Sequence, residues 1–166
     1  MKIYGVTGWK NSGKTTLMER LVAEMVARGL SVSTVKHAHH NTETDHPGRD
    51  SHRHRVAGAR EVMLSSPHRW ALMHELRDAP EPPLCDLLAR LSPVDLVLIE
   101  GYKRAGHPKV EAHRRATGRD LLARENSTIR AVASDSPLDG LAVPILGLDD
   151  TKAIADFILR DLGLSA

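Results

Sequence analysis

Gly8-Trp9-Lys10-Asn11-Ser12-Gly13-Lys14-Thr15 fits the spacing G-x-x-x-x-G-K-[ST] at every specified position. Residues 3–7 before it are mostly apolar and favour a strand. Residues 15–28 after it set Leu17, Met18, Leu21, Val22, Met25 and Val26 on one helical face, and Gly29 supplies the stop. A strand that enters a glycine-rich turn and leaves as a helix gives this spacing its meaning. Successive backbone N–H groups converge on phosphate oxygens, and the helix start adds unpaired amides and a positive dipole end. Lys14 then reaches the β/γ-phosphates and Thr15 offers its hydroxyl to Mg²⁺. Gly8, Trp9, Lys10, Asn11, Ser12, Gly13 and Thr16 complete the expected nucleotide-binding segment. A tight turn with an incidental surface lysine is the bland alternative, and the strand and helix on either side argue against it. Trp9 is open between shielding the loop, meeting a partner and packing structurally.

Outward from the loop, a second strand is expected over 31–35, which completes a first βαβ unit. Residues 36–55 are a long polar connection with a Pro47-Gly48 turn, leading to a short helix over 51–59 that Ser51 caps. Strands over 61–65 and 70–76 are expected to form a hairpin added to the parallel sheet. A helix over 84–91, strands over 94–99, 108–113, 129–133 and 143–146, and a helix over 151–162 capped by Asp149 or Asp150 follow. The whole reads as a single α/β domain over 1–166, a size that buries one substantial core. Phe157 is the only phenylalanine, so that core is aliphatic. With 23 Lys plus Arg against 21 Asp plus Glu, the charge is too even for a nucleic-acid scaffold. Cys85 is the only cysteine, no run is long enough to span a bilayer, and no signal-peptide core opens the chain. A cytoplasmic location is expected.

A phosphate loop needs an acid to organise its metal. Asp95 and Glu100 bracket the aliphatic strand over 94–99, about 17 Å apart if extended, so one ion cannot use both. Ligands lie beyond the carboxyl ends of parallel strands, which selects Glu100 as the catalytic and metal candidate and sends Asp95 to the opposite edge. A solvated loop acid is the alternative for Glu100. Six of the ten histidines, His37, His39, His40, His46, His52 and His54, fall between 37 and 54. Three readings of that connection stay open. It is a nucleotide switch whose best-placed acid is Asp50, following Gly48; a Zn²⁺ or Ni²⁺ site; or a polar loop. Asp135 follows the strand over 129–133, where a carboxylate can meet guanine N–H groups or serve as a turn residue. No N-K-x-D segment is present, so guanine and adenine stay open from the residues alone. Lys103, Arg104, Arg114, Arg115 and Arg119 form an anion-binding surface or are ordinary solvated charges.

Taken together, GWKNSGKTTL (8–17), VKHAHH (35–40), DHPGRDSHRHRVAGA (45–59), RWALMHE (69–75), DLVLIEGYK (95–103) and PKVEAHR (108–114) resemble the MobB family, GTP-binding accessory proteins of molybdopterin guanine dinucleotide biosynthesis. The likeness spans most of residues 1–115. It implies an α/β P-loop NTPase with a mostly parallel mixed sheet flanked by helices and an inserted β-hairpin. It also implies a homodimer that binds GTP with Mg²⁺, hydrolyses it weakly and acts mainly as an adapter. The implied partner is the guanylyltransferase that joins GMP to molybdopterin, with molybdopterin itself a further partner and neither nucleic acid nor membrane involved. On this resemblance Lys14, Asp50 and Glu100 carry catalysis, and Thr15, Asp50 and Glu100 hold the metal. Broader relatives often carry a second lysine early in the loop; here Trp9 stands there and Lys10 one residue later. The rival readings are a P-loop small-molecule kinase, a nickel- or zinc-handling GTPase using the histidine-rich segment, and a purely structural or partner-binding protein.

Overall fold

The computed structural model describes residues 1–38 and 45–164. They fall into two compact units, one of Met1–Ala38 with Ser92–Ala166, the other of His39–Leu91. In the first, strands β1 (Lys2–Thr7), β2 (Val32–Lys36), β5 (Leu96–Glu100), β6 (Lys109–His113), β7 (Ile129–Ser134) and β8 (Ile145–Gly147) form one sheet in the order β2-β5-β1-β6-β7-β8. Every neighbouring pair is parallel.

Helices α1 (Lys14–Ala27) and α4 (Thr151–Leu162) belong to the same unit. Leu17, Leu21 and Met25 of α1 and Ile154 and Ile158 of α4 pack with Tyr4, Val6, Leu98, Val110, Ala112, Ala131 and Ala133 of the strands. Because strand side chains alternate, the intervening residues face the other way. There the burial is partly polar: Thr7, Lys109, Glu111, His113 and Ser134 are all buried. Glu111 holds that face together by accepting the Leu122 and Ala123 amides at 2.9 and 2.8 Å, which pins the short 3-10 turn Leu122–Arg124. Lys109 Nζ donates to the carbonyls of Ala105 and His107 and to Thr128 Oγ1, at 2.6, 2.8 and 2.7 Å. An ammonium has three donors, and all three are used.

The far edge of the sheet is tied by Asp95. One of its carboxylate oxygens accepts both the amide and the hydroxyl of Ser31, and its carbonyl accepts the Lys2 amide. The two Ser31 bonds hold the Asp95 carboxyl below the usual carboxylate range. Asp150 caps α4 by accepting the Ala153 amide at 3.0 Å.

The second unit contains α2 (Asp50–Val56), the antiparallel strands β3 (Glu61–Ser65) and β4 (Trp70–His74), and the single helical turn α3 (Leu84–Leu88). Arg55 joins its parts, donating to Glu75 Oε1 at 2.8 Å. The α/β class, the parallel strands and the hairpin are as the sequence leads one to expect. Two details differ. The hairpin forms a two-stranded sheet of its own instead of extending the parallel one. Arg49, not Ser51, stands at the N-cap of α2, and Ser51 is buried inside the helix.

Candidate nucleotide site

β1 delivers the chain to Gly8, whose φ is 141°; a Cβ there would come within 2.4 Å of the Ala112 carbonyl and 2.6 Å of Ser12 Oγ. Only a glycine lets the loop lie so close to β6. Gly13, at φ 90°, precedes α1, and the Arg114 side chain lies against it, with Nε 3.0 Å from an ideal Cβ. Lys14 and Thr15 are the first two helical residues, so their amides and those that follow lack intrahelical acceptors.

Parallel register gathers the remaining groups. Lys36, last in β2, sits opposite Glu100, last in β5. Lys36 Nζ is 3.5 Å from Glu100 Oε2, and Thr15 Oγ1 donates to Glu100 Oε1 at 3.3 Å. Glu100 thus ends its strand at the carboxyl edge, with its side chain only 12% exposed, while Asp95 lies at the opposite edge. The next residues turn sharply. Gly101 has φ 95°, and a Cβ there would press on His37 Cβ at 3.0 Å. Tyr102, at φ 44°, stacks its ring on His37 with centroids 4.3 Å apart.

Lys14 Nζ donates to the Trp9 carbonyl at 2.6 Å, folding back across its own loop. Burial pushes its ammonium below the ordinary lysine range; Glu100 pulls it back up, and Lys103 and Lys36 push it down again. The Trp9 ring in turn lies under Lys103 Nζ, 4.1 Å from its centroid, and its Nε1–H donates to the Asp120 carbonyl at 2.7 Å. The arrangement suits a polyphosphate: a backbone cradle at a helix start, a lysine within it, and cations on two flanks. A hydroxyl and a carboxylate oxygen 3.3 Å apart also suit a hard, oxygen-seeking divalent cation.

The model of one protein family, MobB, described as molybdopterin guanine dinucleotide synthesis protein B, matches residues 3–135. The chain belongs to the MobB family. It is 40% identical over 159 residues to the molybdopterin-guanine dinucleotide biosynthesis adapter protein of Haemophilus influenzae, covering 94% of this chain and 86% of that one. The Escherichia coli adapter protein is 39% identical over 156 residues, covering 92% and 88%. Among solved structures, a MobB homolog from Bacillus stearothermophilus superposes with TM-score 0.73 at 34% identity, covering 98% of this chain and 99% of that one. Bacillus subtilis MobB gives 0.76 at 27%, covering 98% of both.

Membership of the MobB family lends nothing to the kinase and nickel- or zinc-handling readings. Among the described residues, no three His, Cys, Asp or Glu side chains are arranged to hold a metal ion, and His39 and His40 lie outside those residues. No described helix is long and apolar enough to cross a membrane. The other candidates have plain positions. Asp50, exposed, opens α2 in the second unit, with Arg53 Nη1 3.9 Å from its carboxylate. Asp135 follows β7 at the carboxyl edge, and its Oδ1 accepts the Arg115 amide at 2.9 Å. Lys10, Asn11 and Thr16 are exposed, and the buried Ser12 hydroxyl has no protein partner among the described residues.

Sequence reasoning missed the Lys14 to Trp9 contact and the Arg114 guanidinium beside Gly13. The parallel order was the available signal for Arg114: a residue just past β6 reaches the loop that follows β1 once those strands are neighbours.

Proposed function

We propose that this chain is an adapter of molybdopterin guanine dinucleotide biosynthesis that binds GTP with Mg²⁺ and hydrolyses it weakly. It assists the guanylyltransferase that joins GMP to molybdopterin, and it works as a homodimer. The observation that carries the nucleotide reading is the Thr15–Glu100 contact at 3.3 Å with Lys14 in the same loop. This is a metal-organising pair beside a phosphate-binding lysine.

In this reading the amides from Gly8 to Thr16 cradle the phosphates, and Lys14 exchanges the Trp9 carbonyl for phosphate oxygens. Thr15 and Glu100 would hold Mg²⁺, which would supply charge neutralisation at the bound phosphates. Lys36, 3.5 Å from Glu100 Oε2, would remain beside that site as a flanking cation. Asp50, carried on the segment after the Pro-Gly turn, is the second acid in this reading. Asp135 keeps Oδ2 for the guanine N–H groups while Oδ1 holds Arg115. No described side chain is placed as a strong base at the loop, which accords with slow hydrolysis and a chiefly adapter role.

Calorimetric titration with GTP and ATP in the presence of Mg²⁺ tests this. Lys14→Ala is expected to weaken GTP binding at least tenfold with the fold intact, and Thr15→Ala to remove most of the Mg²⁺ dependence. Equal GTP affinity in wild type and Lys14→Ala, or a clear preference for ATP, would overturn the reading.

A further inference from the structure

Beside the phosphate loop, Trp9, Lys10 and Asn11 line an open cavity of about 540 Å³ together with Ala116, Thr117 and Arg119. That volume lies in the range of small-molecule sites. Neither Lys14, Thr15 nor Glu100 lines it, so it is not the metal-organising part of the loop. Its wall is fixed, because the Trp9 indole is anchored to the Asp120 carbonyl at 2.7 Å.

Its charge is one-sided. Lys103 Nζ and Arg119 Cζ lie 4.1 and 5.7 Å from the centroid of the same Trp9 ring. An indole face attracts a cation without cancelling its charge. Among the described residues no close ion pair involves Lys10, Lys103 or Arg119, and the buried Glu111 acts on Lys103 only at longer range. Residues 101–120 carry six Lys and Arg against two acids, Glu111 and Asp120. Glu111 is buried and spent on the Leu122 and Ala123 amides. Lys10 and Arg119 in the lining, with Lys103 on the adjoining Trp9 ring, focus anions into it.

We propose that this cavity is a second anion site, which binds a phosphomonoester-bearing co-substrate beside the nucleotide. A monoester carries about −1.5 to −2 charges at neutral pH and three acceptor oxygens, which suits three cations better than a carboxylate does. Arg119 supplies a planar fork of donors, and Asn11 adds an amide at the rim. The inference rests on the nucleotide reading only in placing the second ligand next to a nucleotide.

The test uses Trp9 as reporter. Trp70→Phe leaves it the only tryptophan, and glycerol 3-phosphate is titrated into the full chain with and without saturating GTP and Mg²⁺. The expected result is a saturable change in Trp9 fluorescence with GTP still bound. Arg119→Ala should raise the Kd for glycerol 3-phosphate at least tenfold, Arg119→Lys should restore most of the binding, and GTP affinity by calorimetry should stay within twofold. Displacement of GTP by glycerol 3-phosphate, an absence of saturation, or an unchanged Kd in Arg119→Ala would overturn the proposal. If calorimetry finds no GTP binding, the nucleotide reading fails, and the nucleotide-free titration still decides the cavity on the same Arg119 criterion.

Discussion

Leu96, Val97, Leu98 and Ile99 of β5 are wholly buried, whereas Met63, Trp70 and Leu72 of the β3–β4 hairpin keep 61%, 65% and 41% of their surface exposed. Both segments are short and rich in apolar residues; what differs is the company. β5 has parallel neighbours on both sides, and Leu96 and Leu98 pack in the same core as α1 and α4. β3 and β4 have only each other within their sheet, and an isolated two-stranded ribbon is marginal in water. Fold stability therefore resides in the parallel sheet, and the hairpin's apolar side chains are free to meet something else.

Substitutions can break this contrast or sharpen it. The largest effect is expected from Leu98→Ala, which should lower unfolding free energy by about 2–5 kcal/mol in urea titrations, as cavities in tight cores do. A loss under 1 kcal/mol would show that the sheet core tolerates voids.

The polar face of the same sheet gives the next effect. His107 is 7% exposed, and neither ring nitrogen has a hydrogen-bond partner among the described residues. Burial, helped by the Lys109 charge, pulls its pKa down to about 4. Between that value and the unfolded value near 6.5 the unfolded chain binds more protons than the folded one. Stability is therefore full above pH 6.5 and falls as pH drops toward 4. The expected loss is on the order of 2 kcal/mol across that window. Thermal melts of His107→Leu should lose most of this slope, and an unchanged slope would assign it elsewhere.

Leu72→Ser in the hairpin should be smallest, within about 0.5 kcal/mol, because it removes an exposed side chain. A loss comparable to that of Leu98→Ala would mean that the hairpin is buried against a partner in solution. Chromatography of the variant would then show a changed oligomeric state.

Much of the first unit was legible because it rests on local rules. A glycine spacing between a strand and a helix located the loop, and the end rule for parallel strands chose Glu100 over Asp95. A cap at Asp149 or Asp150 was readable for the same reason, and Asp150 takes the place. Where only three-dimensional neighbours decide, the sequence was silent. Lys109, Glu111 and His113 alternate with apolar residues, the pattern of a strand with one wet face, yet all three are buried. Lys109 and Glu111 are covered by the loops around residues 105 and 122, which accept from the one and donate to the other. The separation of the hairpin from the parallel sheet was unreadable for a similar reason: strand propensity does not say which edge a strand joins. Asp50 and Asp135 were singled out by residue type and by the turn or strand before them, and the structure places them at the start of α2 and just past β7.

The Asp95 tie bears on how this molecule can move. It joins β5 to Ser31 at the entry to β2 and to Lys2 at the start of β1, all at the edge remote from the phosphate loop. Strands secured there cannot slide past one another when a ligand arrives at the other end. Displacement on ligand arrival is therefore expected in the turns after Glu100 and His113, next to the loop, and not in the strands.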